Sequence, residues 1–473
     1  MNSDQSYGSE YETSIPSLYP FITFRQERFG GMVFNPYFGI EEELNLIEAY
    51  SVALCNGHNS ERQVVNAIRN RFGFTWPQAQ NRYDSIKQRL LSAMAICLDK
   101  GKEQERPHLP DIAVFLGDGP YYHTPKDVIW DLTYACNLQC SHCLTSSGKS
   151  RHRELDTQQA FTLINRLSTA KILRVSLSGG EPFLRPDIVD IIRRITDENM
   201  RVDIATNGFE LSDDMLIRLR DLPLFQVQVS IDGTEEQHDL MRGVAGAFAR
   251  SCETVRRLRS EGLAVAISMT VTAENLQSLE RVIDIALELD CSGFKAISFM
   301  PAGRGKYHRR RFQLNPAGQH EFASVITRRS KELKGILNIT TETTFSHLLK
   351  QQPLNANQNG SMGCSAGYDT LSIGAKGTVY PCPFLHNFPL GNLLKRPLDY
   401  IWYESQTLRI LRTITKQNMS EPCHSCTYAP QFCRGGCRAA AYLAYGDLLA
   451  ADPNCFKGQL YKDIVDPIRV QTA

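Results

Sequence analysis

No stretch of this sequence is apolar enough, for long enough, to cross a bilayer, so a membrane-embedded role is not expected. Net charge is nearly absent too. Its 52 Lys and Arg against 51 Asp and Glu leave +1, which gives no global electrostatic case for nucleic acid or an anionic membrane as partner. The one basic run, Arg304 to Arg311, reads as a solvated loop. Residues 1–19 are rich in Ser, Tyr and Glu and lack the basic start and apolar stretch of a secretion signal, so a disordered tail and a reducing, cytoplasmic setting are expected. Disulfides do not persist in such a compartment, and the 14 cysteines therefore point to metal or redox chemistry. Four of them, Cys55, Cys97, Cys252 and Cys291, stand alone in apolar patterns and read as small buried hydrophobes. The other ten fall between Cys136 and Cys143 and between Cys364 and Cys455.

A chain of 473 residues is too long for one ordinary core, and three domains are expected. Two extended runs around Gly30-Gly31 predict a β-hairpin over 21–35. Helical periodicity follows over Ile40 to Asn56, Glu61 to Phe72 and Trp76 to Asp99, with Gly57 and Gly73 as stops. Together these form a winged-helix-like domain over 20–100, and the Pro- and Gly-rich stretch 101–126 reads as a linker. From 127 to 311 extended apolar runs alternate with helical patterns through six rounds. That alternation predicts an α/β fold, a partial (βα)6 barrel of the TIM type. The strands are read at 128–134, 173–177, 202–205, 225–230, 264–269 and 294–299. A mixed bridge covers 312–363. Residues 364–460, rich in Gly, Pro and Cys, have little apolar core of their own and are expected to fold around metal.

Cys136, Cys140 and Cys143 form a CxxxCxxC set just after the first barrel strand, at the end where barrel active sites form. Three thiolates so close in sequence can share one cluster, and a cube of four irons held by three leaves one iron open. A structural zinc is the plainer alternative, but zinc favours paired CxxC ligands with a fourth partner nearby. With aromatic His142 directly before the third Cys, the set resembles the signature of radical S-adenosylmethionine (SAM) enzymes. In that family the open iron of a 4Fe-4S cluster chelates the amino and carboxylate groups of SAM. Other strand ends agree. Gly179-Gly180-Glu181-Pro182 resembles the family's methionine-binding motif. Thr206-Asn207 and Ser230 with Asp232 offer polar groups suited to a carboxylate and ribose hydroxyls, and Thr272 and Met300 fall where relatives hold the adenine.

The second cysteine region resembles the SPASM extension, which holds two auxiliary 4Fe-4S clusters in peptide-modifying radical SAM enzymes. Carried over by position, Cys423, Cys426, Cys433 and Cys455 would ligate one cluster fully, and Cys364, Cys382 and Cys437 the other. The second set is one thiolate short, since no Cys lies between Cys364 and Cys382, so the cluster is open or completed by another group. The gap between Cys426 and Cys433 is one residue longer than the common pattern. A pair of structural zincs remains the alternative here. Pro383 stands where sulfatase-maturing relatives carry an acidic base, which disfavours formylglycine formation.

Within the family, the stretches 132–148, 377–384 and 433–440 look closest to mycofactocin-type maturases and peptide-splicing enzymes. The resemblance implies cleavage of SAM to a 5′-deoxyadenosyl radical and hydrogen abstraction from a ribosomally made precursor peptide, with electrons from a flavodoxin or ferredoxin. The N-terminal domain resembles the precursor-recognition element of such pathways, in which a leader peptide adds a strand to a sheet edge. No protein acid or base is identifiable, because the cofactor carries the hard step. Action on a small molecule such as a tetrapyrrole is one rival reading, and a non-catalytic zinc protein that binds nucleic acid or protein is another.

Overall fold

The computed structural model describes residues 14–100, 121–149, 153–341, 362–431 and 433–455. Residues 1–13 of the expected tail, 101–120 of the linker, 342–361 of the bridge and 456–460 of the cysteine-rich segment lie outside the described residues. The chain divides into two units, residues 1–123 with 199–201, and 124–198 with 202–473.

The first unit contains β1 (Ser14–Leu18), β2 (Thr23–Glu27), β3 (Gly30–Asn35), β4 (Ile40–Asn45), α1 (Leu46–Leu54), α2 (Glu61–Phe72), α3 (Trp76–Ser92) and β5 (Ile96–Lys100). β2, β3 and β4 form an antiparallel sheet in that order, and β1 pairs antiparallel with β5. Leu44, Val52, Leu54, Val64, Ile68 and Leu90 are shut off from solvent in one core. Three boundaries differ from the sequence reading. The expected tail over 1–19 includes β1. The helix read from Ile40 starts only at Leu46, because residues 40–45 pair with β3 and the Asn45 side chain then accepts from the N–H groups of Ile47 and Glu48, capping α1. The helix read to Asp99 ends at Ser92. Met94 takes a left-handed φ of 48°, and the strand β5 follows without any glycine to announce the break. Of the four lone cysteines Cys55, Cys252 and Cys291 are buried, while Cys97 is only half-buried, its thiol 3.0 Å from the Ser17 hydroxyl.

The second unit is built on a ten-stranded sheet. β6 (Asp127–Thr133), β7 (Arg174–Gly179), β8 (Arg201–Thr206), β9 (Gln226–Ser230), β10 (Val265–Val271) and β11 (Gly293–Ser298) are the six strands of the alternation. They lie side by side in chain order. The connecting helices are α4 (Thr157–Thr169), α5 (Ile188–Asp197), α6 (Asp213–Arg220), α7 (Glu235–Arg242), α8 (Ala247–Ser260) and α9 (Leu279–Glu288). Residues such as Val128, Trp130, Leu132, Val175 and Leu177 bury one face of each strand, and the alternate positions look inward. After α10 (Arg309–Phe312) and α11 (Pro316–Glu332), β12 (Asn338–Thr341) adds to β11 in parallel.

The cysteine-rich segment is joined to this sheet. β13 (Thr370–Ile373) pairs in parallel with β6 on its other side, and β14 (Thr378–Tyr380) and β15 (Gly391–Asn392) continue antiparallel. α12 (Leu398–Glu404), α13 (Gln406–Arg412) and α14 (Arg438–Tyr445) complete it, with Trp402 and Leu408 buried.

Candidate active site

A cavity of about 330 Å³ opens at the C-terminal ends of the barrel strands, and the thiols of Cys136, Cys140 and Cys143 all face it. The loop that carries them is pinned at several points. Its base closes where Cys136 N–H donates to Gly148 and Gly148 N–H to Tyr134. Arg304, from the run expected to be solvated, instead fastens its top, donating from Nε to the Cys140 carbonyl at 2.7 Å, from Nη2 to the Ser147 carbonyl at 3.0 Å, and from its backbone N–H to the Cys143 carbonyl.

All three sulfurs have donors aimed at them. Leu138 N–H and Asn207 Nδ2 reach Cys136, Arg242 Nη1 reaches Cys140 at 3.7 Å, and Ser147 N–H reaches Cys143 at 3.3 Å. Burial, assisted by the neighbouring thiols, pushes the Cys136 thiol up to about 11, and burial raises Cys140 as well. Ionising them without a cationic partner is thus unfavourable, yet their surroundings are built to receive sulfur anions. That combination fits thiolates shared with a metal cluster.

Of the residues read from the strand ends, His142, Gly179, Gly180, Thr206, Asn207, Ser230 and Met300 line the cavity together with the three thiols. At Gly179 φ is +127°, and a Cβ on Gly180 would sit 1.9 Å from the Ala135 carbonyl oxygen, so only glycines let this turn lie against the start of the cysteine loop. Glu181, Pro182, Asp232 and Thr272 are not in the wall. Glu181 is buried behind it, where its carboxylate accepts from Thr206 Oγ1 and Asn207 N–H, both at 2.8 Å, holding the third-strand turn in place. Burial outweighs those bonds and pushes its carboxyl up to about 7. Thr272 is wholly buried and tied to Asn275, so Thr270 is the residue of that strand end that reaches the cavity.

Asp232 is buried and ion-paired to Arg242 Nη2 at 2.6 Å, with His142 Nε2 3.5 Å away. Burial alone would raise its carboxyl, but Arg242 and the two neighbouring histidines outweigh this and hold it below the ordinary range. Burial lowers His142 to about 4, which leaves a neutral ring whose Nδ1 is buried with no hydrogen-bond partner. An unfilled ring nitrogen in the cavity wall suits a polar ligand such as a nucleobase.

Sequence reasoning missed Arg242 and the polar inner wall. Asp131, Asp203, Gln228 and Lys295 all line the cavity from alternate strand positions, and Pro383 and Phe384, directly after Cys382, close one side of it. Polar residues at every second position of otherwise apolar strands were the available signal for the wall.

Of the seven remaining cysteines, Cys364, Cys382 and Cys437 act on one another, as do Cys423, Cys426, Cys433 and Cys455. Burial pushes Cys382 up to about 12 with Cys364 adding to the effect, and burial raises Cys437 with Cys364, Asp452 and Cys382 adding. Cys423 at about 11 and Cys455 at about 12 are raised chiefly by burial, and Cys433 and Cys426 press on both. Among the described residues no three His, Cys, Asp or Glu side chains gather tightly enough to hold a single metal ion. Thiolates around a cube of four irons stand farther apart than ligands of one ion.

Comparison with known proteins agrees with this geometry. Residues 130–286 match the profile of the radical SAM superfamily, and residues 364–427 that of the SPASM iron-sulfur cluster-binding domain. An AdoMet-dependent heme synthase of Methanosarcina barkeri is 32% identical over 345 residues, 70% of this chain and 97% of that protein. The chain belongs to the radical SAM superfamily. Mycofactocin maturase MftC of Mycobacterium ulcerans is a second relative, 34% identical over 341 residues, 71% of this chain and 88% of that one. In fold, the radical SAM chain is similar to Streptococcus suis SuiB bound to its precursor peptide SuiA, with a TM-score of 0.72 at 17% identity over 92% of this chain and 98% of that one. As a radical SAM enzyme with a SPASM domain, it takes SAM, a 4Fe-4S cluster and auxiliary iron-sulfur clusters. No helix among the described residues is long and apolar enough to cross a membrane.

Proposed function

We propose that the chain modifies a ribosomally made precursor peptide, in the cytoplasm, with Cys136, Cys140 and Cys143 holding the SAM-binding cluster. The observation that carries this reading is the extent of the likeness. The heme synthase relative is nearly used up by 70% of this chain, whereas the fold of SuiB, bound to its precursor peptide, extends over 92% of it. The surplus corresponds in size to the N-terminal unit, in which, among the described residues, β2 and β4 each pair only with β3. A leader peptide adds a strand at such an outer edge.

The bound cofactors supply hydrogen-atom abstraction, and the chain supplies placement. Arg304 and the Gly148 bridge hold the thiol loop, Gly179-Gly180 bring backbone close to a ligand amine, and Glu181 fixes Thr206 and Asn207 at the opposite wall. His142 and Met300, and from the barrel wall Asp131, Asp203 and Lys295, line the cavity; the first two would meet the nucleoside and the last three the substrate. Cys423, Cys426, Cys433 and Cys455 hold one auxiliary cluster, and Cys364, Cys382 and Cys437 the other. Pro383 and Phe384, directly after Cys382, line the cavity, so a cluster held by that second set would supply an electron acceptor close to it. A flavodoxin or ferredoxin delivers electrons to the first cluster.

The test is anaerobic incubation of the full chain with SAM, reductant and a candidate precursor, followed by mass spectrometry of peptide and nucleoside. 5′-Deoxyadenosine with loss of a hydrogen pair, loss of a carboxyl group or deuterium uptake supports the proposal and separates cross-linking, decarboxylation and epimerisation. The second reading, a tetrapyrrole substrate, is favoured by the heme synthase relative. It wins if an iron porphyrin is converted and candidate precursors are not.

A further inference from the structure

We propose that Arg242 raises the reduction potential of the cluster on Cys136, Cys140 and Cys143, donating an N–H to the Cys140 sulfur while Asp232 holds the guanidinium in place. The inference rests on the cluster assignment made above and goes beyond it. α7 is a strongly polar helix, EEQHDLMR, yet it turns His238, Met241 and Arg242 inward. Burying an arginine is costly unless its charge is answered, and here Asp232 answers it at 2.6 Å. The opposite arm, Nη1, lies 3.7 Å from the Cys140 sulfur.

The pair is fixed from several sides. Asp232 Oδ1 accepts from Thr270 N–H at 2.9 Å, its backbone N–H donates to His238 Nδ1 at 3.1 Å, and its carbonyl accepts from Asn275 Nδ2 at 2.6 Å. The end of α7 is itself tied to the cysteine loop, where Ser141 N–H donates to the Met241 carbonyl. Arg242 therefore cannot swing away without dismantling the end of β9.

The three sulfurs are not equivalent. Cys136 receives neutral donors from Leu138 and Asn207, and Cys143 a neutral donor from Ser147 N–H, with the Thr145 hydroxyl 3.6 Å away. Among the described residues, Cys140 alone of the three receives a cationic donor. Reduction places an extra electron on a cluster whose charge is shared with its sulfurs, so a cationic N–H at one sulfur favours the reduced form. Asp232 tempers the effect, since its carboxylate lies behind the guanidinium as seen from the sulfur. Removing each partner thus has an opposite consequence.

The experiment is a redox titration of the full, iron-loaded chain without SAM, followed by electron paramagnetic resonance, the cluster being identified by the signal that later addition of SAM alters. Arg242→Gln is expected to lower the reduced-to-oxidised ratio at a fixed solution potential about tenfold, ~59 mV for one electron, and Asp232→Asn to raise it. Arg242→Lys, which keeps the charge but not the fork, should fall between wild type and Arg242→Gln. An unchanged potential in Arg242→Gln with weakened SAM binding overturns the proposal and makes the arginine a cofactor ligand instead. If Arg242→Gln assembles no cluster, the sign of the Asp232→Asn shift decides, and a fall or no change overturns it. Absence of any SAM-responsive signal in wild type is a different failure, that of the cluster assignment itself.

Discussion

The N-terminal unit and the cysteine-rich segment are of similar length but are held together in different ways. The first closes on a continuous apolar core in which Val64, Val65, Ile68 and Leu90 are out of solvent, and its helices begin at well-made caps such as Asn45 and Ser60. The second also buries apolar side chains, Leu371, Ile373, Trp402 and Leu408 among them, but adds thiols that burial keeps protonated when alone, those of Cys382, Cys423, Cys437 and Cys455. A core of the first kind forms from the chain itself. If those thiols hold the auxiliary clusters, as proposed above, uptake of iron and sulfide adds binding energy that is also folding energy.

The largest effect expected from breaking this comparison is at the barrel's own cluster. Cys140→Ala should remove SAM cleavage altogether and about four irons per chain, read as 5′-deoxyadenosine and iron content, while hydrogen exchange in residues 14–100 stays as in wild type. Next, Cys437→Ala should lose the iron of one auxiliary set and loosen α14, whose first turn it precedes, while SAM cleavage without peptide continues. Full iron content in that variant would show that Cys437 is not a ligand. Ile68→Ala, in the apolar core, should cost the N-terminal unit about 2–5 kcal/mol and weaken leader-peptide binding, with iron content unchanged. Smallest, Ser60→Ala removes the cap that accepts from Gln63 N–H and should cost about 1 kcal/mol. Faster exchange at the start of α2 would report it. If either Ile68→Ala or Ser60→Ala lost iron, the independence of the two kinds of cohesion would be wrong.

What was legible in the sequence follows the range of the physics involved. The thiol loop and the Gly179-Gly180 turn were readable because both depend on residues a few positions apart. So were the six barrel strands, whose apolar runs are bounded by turns and helices. Asp232 and Thr272 were rightly drawn to strand ends, but which side chain faces the cavity and which stands behind it depends on register. The chain puts Ser230 and Thr270 in front. Arg242 was out of reach, because a basic residue closing a charged helix looks solvated until the helix is docked. β4 and β5 were read as helix because no glycine or proline separates them from α1 and α3, and the breaks are made instead by strand pairing and by a methionine in a left-handed conformation.

The pairing of β13 with β6 has a consequence for how the protein is made. β6 leads into the thiol loop, and one of its two edges is covered by residues that leave the ribosome only after the entire barrel has been synthesised. At ~5–20 residues per second, that edge stays bare for on the order of ten seconds or more. The nascent barrel therefore waits with an open strand beside its cofactor loop, and a chaperone or the loading of the first cluster has that interval in which to act before the last domain seals the sheet.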